Sequence, residues 1–297
     1  MGNIYRKHLP GTQTEYYMKI LLADSGSTKT EWCLIQADTK PVTTYSAGLN
    51  PFYHTVDTIA AEITEQVITD IPVADRIYFY GAGCAGEEAI GRMTAALQKV
   101  YGNIPVEVDS DVLGAARAIC GHNEGIACIL GTGSSSCRFD GKGIADQVPA
   151  LGFILGDEGS AGSFGRKILQ AYFYRELPDE LRAWLEEHYD MTRPAILDAV
   201  YKKPHFNRFV ASFTKMFAEF GDHPYVIFLL QEGIGEFLER HIIKYRTDPD
   251  IPVGFVGSVA YHNQAVVRSS LARKGLKPGA FLKTPMEGLR SYHGEEL

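Results

Sequence analysis

An apolar run that ends in a carboxylate, followed by a short run of Gly, Ser and Thr, constrains the fold of this 297-residue chain most. Residues 19–32 read K-I-L-L-A-D-S-G-S-T-K-T-E-W, and the apolar pattern then resumes. This pattern predicts a buried strand, an anion-sized turn and a return strand, although it is equally typical of an ordinary hairpin. The turn is not a P-loop, because no G-x-x-x-x-G-K-[ST] string occurs in the chain.

A second turn of the same kind favours the phosphate interpretation. Residues 125–136 read G-I-A-C-I-L-G-T-G-S-S-S, which predicts another strand, turn and return strand. A third glycine turn, at Gly257–Ser258, follows another apolar run and precedes a helix predicted over residues 263–274. A last strand is predicted over residues 281–285. The two phosphate-sized hairpins predict two similar domains that face each other across a nucleotide.

The three turns together resemble those of the actin, Hsp70 and sugar kinase superfamily. Residues 24–30 match its first phosphate motif, Gly131–Ser135 its second and Gly257–Ser258 its adenosine motif. Within the superfamily, the chain is similar to N-acetylglucosamine kinases and BadF/BadG-type ATPases. The most specific strings are G-D-E-G-S-A at Gly156–Ala161 and V-G-S-V at Val256–Val259.

The resemblance covers nearly all of residues 18–293 and implies an α/β fold. We expect two ribonuclease H-like (actin-like ATPase) domains with an interdomain cleft. Residues 18–121 and a C-terminal helix at 286–297 would form the first domain, and residues 122–285 the second. The second domain would carry a helical insertion over about 164–246, which could also form a homodimer surface. Residues 1–17 are expected to be an ancillary N-terminal extension.

By resemblance, the protein is an ATP-dependent kinase that phosphorylates the 6-hydroxyl of an amino sugar, N-acetylglucosamine or a related hexosamine. Asp24 is expected to hold Mg²⁺, and Asp111 to act as general base. Asn50, Asp111 and Asp157 are the expected sugar contacts. The residues expected to bind ATP are Asp24, Ser25, Gly26, Ser27, Thr28, Lys29, Gly131, Thr132, Gly133, Ser134, Gly257 and Ser258.

The local sequence leaves a simpler alternative open for several of these residues. Asn50 lies before Pro51 and can be a turn or cap residue. Asp109 and Asp111 can both be capping acids of the helix that follows them. Glu158, next to Asp157, can be a structural acid.

The chain departs from N-acetylglucosamine kinases at the wall that encloses the N-acetyl group. Val148 and Leu151 stand where those kinases carry a Cys and a Trp. Both replacements are apolar, but the flat indole surface is lost. Glucosamine, a muramic-type sugar or another hexose are therefore alternatives.

Three other functions are alternatives to a sugar kinase. Gly81–Gly86 read G-A-G-C-A-G, a formal dinucleotide fingerprint, but a Rossmann site would leave the other three glycine turns without a role. A BadF-type activator of a 2-hydroxyacyl-CoA dehydratase needs exposed cysteines for an iron–sulfur cluster, and Cys128 and Cys137 fall in predicted strands. A non-catalytic sugar sensor would keep the fold without turnover.

Composition narrows the partners further. The formal charge of -7 and the absence of a Lys/Arg-rich run argue against nucleic acid. No apolar run is long enough to span a membrane, and the five cysteines show no C-x-x-C spacing. The nine histidines show no metal-binding spacing either, so no transition-metal site is predicted. We therefore expect a reduced, cytoplasmic protein whose partners are ATP and a small sugar.

Overall fold

The computed structural model describes residues 17–245 and 248–297, which form two compact units. Unit 1 contains the described residues up to His122 together with Pro285–Leu297, and unit 2 contains those of Asn123–Thr284. The predicted N-terminal extension lies outside the described residues except for Tyr17, and so does Arg246 at the end of the predicted insertion.

Each unit contains one five-stranded sheet. In chain order the strands are β1 (Lys19–Ser25), β2 (Lys29–Gln36), β3 (Val42–Ala47), β4 (Arg76–Gly81), β5 (Val106–Ser110), β6 (Glu124–Leu130), β7 (Ser134–Asp140), β8 (Ile144–Asp146), β9 (Val253–Val256) and β10 (Pro278–Leu282). The order is β3-β2-β1-β4-β5 in unit 1 and β8-β7-β6-β9-β10 in unit 2.

The two sheets therefore have the same topology. Each begins with an antiparallel meander of three strands, and its first strand pairs in parallel with the fourth. The β1–β2 hairpin corresponds in this way to the β6–β7 hairpin, and the turn after β4 corresponds to the turn after β9. The second half of each sheet is parallel, with β4 beside β5 and β9 beside β10.

Twelve α-helices accompany the sheets in the described residues. They are α1 (Val56–Gln66), α2 (Glu87–Tyr101), α3 (Asp111–Cys120), α4 (Gly152–Leu155), α5 (Ala161–Tyr174), α6 (Asp179–His188), α7 (Arg193–Tyr201), α8 (Phe206–Ser212), α9 (Pro224–Arg240), α10 (Ser258–His262), α11 (Gln264–Arg273) and α12 (Met286–Gly294). Two 3₁₀ helices follow α8 and α9, at Phe213–Ala218 and Ile242–Tyr245.

The central strand of unit 1 is buried on both faces, because helices cover the sheet from both sides. Leu21 and Ala23 of β1 face the core that α1 and α2 complete, whereas Ile20 and Leu22 face the core that α12 completes. This alternation follows from the two-residue period of a strand. Unit 2 has one large apolar core that joins β6 and β9 to α5–α9 and α11.

The strands on either side of the G-A-G-C-A-G turn, β4 and β5, are parallel as in a Rossmann unit, but the antiparallel β1–β2–β3 meander does not match the mostly parallel Rossmann sheet. Gly83 within the fingerprint string instead makes room for a neighbour. It has a φ of 82°, and a Cβ atom there would lie 2.2 Å from Asn50 Oδ1. In the described parts of the chain, no helix is both long and apolar enough to cross a bilayer.

Candidate active site

The turn between β1 and β2 presents two adjacent backbone N–H groups. Gly26 N–H donates to Lys29 O over 3.1 Å and so closes the turn. The N–H groups of Ser27 and Thr28 have no hydrogen-bond partner within the described residues, and both residues are exposed. Consecutive N–H groups of this kind form a concave anion site.

Ser25, which was predicted to bind ATP, has a hydroxyl that is engaged inside unit 1. Its Oγ donates to Leu49 O over 3.1 Å, accepts the N–H of Leu49 over 2.9 Å and lies 2.8 Å from Thr30 Oγ1. A Cβ atom on Gly48 would lie 2.4 Å from Gly26 O, so the two segments pack closely. The Ser25 side chain thus fixes the first turn to the segment that leads to Asn50.

Lys29 has a neighbour that the sequence did not predict. Its Nζ lies 4.7 Å from the ring centroid of Tyr45, a distance at which a cation is attracted to an aromatic face. Tyr45 lies on β3, opposite Glu31 of β2. Only the β2–β3 register could have revealed this contact between Lys29 and Tyr45. The sequence alone does not show that β3 pairs with β2.

Asp24 and Asp111 lie at the same edge of the first sheet. Asp24 is level with Tyr80 of β4, which is level with Asp109 of β5, and α3 begins two residues later at Asp111. Burial, and next the charge of Asp111, raise the pKa of Asp24 to about 7. Burial also raises the pKa of Asp111, although backbone N–H groups of Val112 and Asp111 oppose that rise. The two carboxylates are therefore electrostatically coupled.

The cap of α3 is neither of the two predicted acids. Ser110 is the N-cap residue, and its Oγ accepts the N–H of Leu113 over 3.3 Å. The interpretation of Asp109 as the cap is therefore wrong. A serine was the better candidate because its oxygen sits on the residue directly before the first helical turn.

Asn50 does form the turn that the simpler alternative predicted. Its Oδ1 accepts the N–H of Phe52 over 2.9 Å, and Arg92 Nη1 donates to the carbonyl oxygen of Pro51. The turn therefore engages the Asn50 acceptor, whereas the Nδ2 donor has no partner within the described residues.

The turn between β6 and β7 repeats the arrangement of the first. Gly131 N–H donates to Gly133 O over 3.0 Å, and the N–H groups of Thr132 and Gly133 have no partner in the described residues. The first helical residues of α5 fix this turn, since Ala161 N–H donates to Gly131 O over 2.9 Å and the next residue donates to Thr132 O. We call Gly131–Ser134 the second phosphate turn.

Ser134 supplies a further polar atom to this turn. The residue is 6% exposed, and its Oγ has no hydrogen-bond partner within the described residues. A buried hydroxyl without a hydrogen bond destabilises the folded protein unless a ligand or water binds to it. The hydroxyl therefore marks a place where a polar ligand would be stabilised.

Asp157 lies against the second phosphate turn. Its Oδ1 accepts the N–H of Ser134 over 3.2 Å, and a Cβ atom on Gly133 would lie 3.0 Å from its Oδ2. Asp157 has a φ of 60°, a left-handed backbone that residues other than glycine seldom adopt. Burial raises the pKa of Asp157, and the hydrogen bond from Ser134 opposes the rise.

Glu158 is held by an ion pair inside unit 2. Its Oε1 accepts from Arg240 Nη1 over 3.0 Å, and its Oε2 lies 3.2 Å from His241 Nε2. Burial alone would raise the pKa of Glu158, but its own backbone N–H, His241 and Arg240 together lower it. Both oxygens of Glu158 are therefore engaged by side chains of unit 2.

In the third turn, two backbone segments approach so closely that position 257 requires a glycine. Its φ is 116°, and a Cβ atom would lie 2.4 Å from the carbonyl oxygen of Leu130 at the end of β6. Its N–H donates to Leu282 O over 3.0 Å. Ser258, the first residue of α10, is exposed. The third turn thus lies next to the start of the second phosphate turn.

The described residues contain no cluster of three or more His, Cys, Asp or Glu side chains suited to a metal. The cysteines form no disulfide among these residues, and Cys33, Cys84, Cys128 and Cys137 are buried. Of the predicted wall residues, Leu151 is exposed, whereas Val148 is partly buried and packs against the core of unit 2.

The chain matches one family model and resembles several solved structures. The family model for the BadF/BadG/BcrA/BcrD ATPase family matches residues 23–223. A crystal structure of a candidate N-acetylglucosamine kinase from Porphyromonas gingivalis is 41% identical, with a TM-score of 0.87, over 92% of this chain and 98% of that one. No curated protein matches the sequence.

Two more distant structures share the fold. A candidate N-acetylglucosamine kinase from Chromobacterium violaceum is 17% identical, with a TM-score of 0.72, over 93% of this chain and 98% of that one. An ROK hexokinase from Thermus thermophilus is 14% identical, with a TM-score of 0.53, over the same shares of the two chains. These likenesses confirm the predicted α/β class with two actin-like ATPase domains. Because the family model matches more than half of its length, this chain belongs to the BadF/BadG/BcrA/BcrD ATPase family.

Proposed function

We propose that the protein is an ATP-dependent sugar kinase that transfers the γ-phosphate to the 6-hydroxyl of an amino sugar, N-acetylglucosamine or a related hexosamine. The observation that carries the proposal is the pair of corresponding hairpin turns. Each lies at the same position in a sheet of the same topology, and each leaves two consecutive N–H groups without a partner in the described residues. The 41% identity with the P. gingivalis protein supports a sugar as the acceptor.

The phosphates of ATP would be bound mainly by backbone N–H groups. Those of Ser27 and Thr28 in unit 1, and of Thr132 and Gly133 in unit 2, suit phosphate oxygens because they are fixed by neighbouring hydrogen bonds. Lys29 would add a positive charge. The residues proposed to bind ATP remain Asp24, Ser25, Gly26, Ser27, Thr28, Lys29, Gly131, Thr132, Gly133, Ser134, Gly257 and Ser258.

The carboxylates of unit 1 suit Mg²⁺. Mg²⁺ prefers oxygen ligands and is commonly bound by one or two carboxylates together with substrate phosphates. Asp24 suits that preference, because burial and the nearby Asp111 raise its pKa and a cation would relieve the repulsion between the two carboxylates. When bound there, Mg²⁺ would neutralise charge on the transferring phosphate.

Asp111 would act as the general base. It would accept the proton of the sugar hydroxyl while that oxygen attacks the γ-phosphate, and its raised pKa brings it closer to the range useful for proton transfer at neutral pH. Asn50 would donate from Nδ2 to a sugar hydroxyl, and Asp157 would accept from another. Most of the rate would come from positioning and charge neutralisation, as in other phosphoryl transfers.

The test is an ADP-release assay over hexoses, hexosamines and N-acetylhexosamines, repeated with Asp111→Asn. We expect sugar-dependent ADP release, and a fall of about 10²–10⁴-fold in kcat for the variant. Asp109→Asn is the matched control, since Asp109 is a nearby carboxylate outside the proposed machinery. The position of transfer is checked with a 6-deoxy analogue, which should compete with the sugar without being phosphorylated. Full activity of Asp111→Asn would remove Asp111 from the base role.

The main alternative is a dehydratase activator that hydrolyses ATP for electron transfer. Such an activator needs accessible cysteines to bind an iron–sulfur cluster. In this chain, four of the five cysteines are buried. A colourless, iron-free preparation that consumes ATP only with sugar would reject this alternative. Iron in the preparation, together with ATP hydrolysis that does not depend on sugar, would reject the kinase proposal instead.

A further inference from the structure

One short segment, Arg240–Tyr245, contacts residues on two sides of the second phosphate turn. This segment ends α9 and continues as the following 3₁₀ helix. None of the chemistry proposed above uses it. The segment reaches the turn indirectly, through the buried Glu158 next to Asp157 and the buried Ser136 two residues after Ser134, which makes it a candidate for a positioning role.

The first side is the backbone around Asp157. Its left-handed conformation is strained for a residue with a side chain and persists only where the surroundings determine it. The next residue, Glu158, is 8% exposed and has one oxygen on Arg240 and the other on His241. Gly159 packs on α9, since a Cβ atom there would lie 3.2 Å from Phe237 Cβ. The end of α9 therefore fixes the carboxylate that accepts from Ser134 N–H.

The second side is the strand that leaves the turn. Tyr245 Oη lies 2.7 Å from Ser136 Oγ and accepts the N–H of Val148 over 3.3 Å. Ser136 is fully buried and Tyr245 is 6% exposed. Ser136 lies two residues after Ser134 on β7, so the two hydroxyls share one face of the strand. Tyr245 thus anchors the strand that carries the buried Ser134 hydroxyl.

We propose that Glu158 and Tyr245 are positioning residues that hold the second phosphate turn in its nucleotide-binding conformation. The proposal rests on the proposed function, because it takes ATP as the ligand of this turn. Phosphate binding by preformed N–H groups demands a fixed geometry, and side chains that lock a binding turn raise affinity by reducing the cost of ordering it. Removing either contact should therefore weaken nucleotide binding more than it weakens folding.

The experiment measures the Kd of MgADP by calorimetry, together with the melting temperature, for Glu158→Gln and Tyr245→Phe. Each has a matched control. Glu236→Gln also removes a carboxylate partner of Arg240 but does not touch the Asp157 backbone. Tyr189→Phe removes a partly buried tyrosine hydroxyl bond of unit 2, to Ser212 O over 2.8 Å. We expect Kd to rise about tenfold in the two test variants and less than about twofold in the controls, at similar melting temperatures.

A double-mutant cycle separates positioning from general destabilisation. If the Tyr245–Ser136 bond is the coupling, adding Ser136→Ala to Tyr245→Phe should cause no further loss of affinity, because Tyr245→Phe has already broken that bond together with the one from Val148 N–H. Independent structural effects would add instead. Should Glu158→Gln fail to fold, the Tyr245 cycle decides alone, since it removes only one oxygen atom from each side chain.

Two results would overturn the proposal. Parental Kd values in Glu158→Gln and Tyr245→Phe would show that the contacts do not position the turn. Equal losses in Glu236→Gln and Tyr189→Phe would show a general effect on unit 2. If the parent protein itself bound no MgADP, the proposed function would fail first and this proposal with it, so the two failures are distinguishable.

Discussion

In the proposed mechanism, Asp24 would couple metal binding to proton release, because burial and the neighbouring charge of Asp111 raise its pKa. With a pKa of about 7, Asp24 is protonated in about half of the molecules at pH 7. A metal ligand must be deprotonated, so binding should release that proton. We predict that MgADP binding releases about half a proton at pH 7 and almost none at pH 8.5.

Calorimetry in two buffers of different ionisation enthalpy measures this release. Because the pKa of Asp24 is raised, the apparent affinity for MgADP should increase as the pH rises from 6 to 8. The control is Asp24→Asn, which should bind MgADP more weakly and without proton release. A parent protein that releases no proton at pH 7 would show that Asp24 is already ionised or is not the ligand.

Helix α12 is the element whose docking should respond to pH. His293 is 1% exposed, lies 2.7 Å through Nε2 from Tyr80 Oη and 2.8 Å through Nδ1 from Glu296, and stacks on Tyr78. Burial lowers the pKa of His293, and Glu296 only partly opposes this. As the pH falls through the usual histidine pKa of about 6.5, His293 therefore takes up a proton at a higher pH in the unfolded chain than in the folded one.

Between pH 7.5 and 5.5, we predict that His293 contributes a fall in the free energy of unfolding, whereas Asp24, whose pKa is raised, contributes a rise. Acidification over this range should therefore be more favourable to the stability of His293→Gln than to that of the parent. The pKa of Glu296 is also lowered, but its contribution is lost only at more acid pH, where carboxylates titrate. At pH 7.5 the variant should be about 1–3 kcal/mol less stable, because it breaks buried hydrogen bonds. Urea denaturation at the two pH values is the measurement, with the more exposed His122→Gln as control. An identical pH slope in parent and His293→Gln would contradict the prediction.

Sequence patterns predicted the hairpins better than the details around them. The apolar runs ending at Asp24 and Leu130 predicted buried strands, since such runs are typical of strands covered on both faces. The last strand was predicted over residues 281–285 but covers Pro278–Leu282, because pairing with β9 selects its residues. Residues near the strand in the sequence do not show where a separate partner strand will pair with it.

The candidate site shows the same limit. The turns, Asp111 and Asp157 could be picked out from local strings and a family resemblance. The engaged hydroxyl of Ser25, the ring of Tyr45 beside Lys29 and the strained backbone of Asp157 could not. Each of these depends on a tertiary neighbour, and tertiary contacts override local propensity.

At the scale of the whole molecule, unit 1 is discontinuous in sequence. The chain leaves it after His122 and returns at Pro285. The returning helix α12 contributes Met286 and Leu289 to the core formed by Ile20 and Leu22 of β1. A Cβ atom on Gly288 would also lie 2.2 Å from Ala118 O of α3, so the two helices pack closely. The last residues of the chain therefore complete the core beneath its first strand.

This topology predicts which part of the protein a C-terminal substitution destabilises. Leu289 is fully buried, and Leu289→Ala should cost about 2–5 kcal/mol through lost burial and the cavity it leaves. Backbone amides of β1 and α3 should then exchange faster with deuterium, whereas those of β9 and α11, which are much closer in sequence, should stay protected. Leu271→Ala is the matched control, since Leu271 is an equally buried leucine of α11 in unit 2, and its pattern should be the reverse. Faster exchange throughout both units in either variant would mean that the two cores unfold as one, and uniform protection in Leu289→Ala would mean that α12 is dispensable to the core of unit 1.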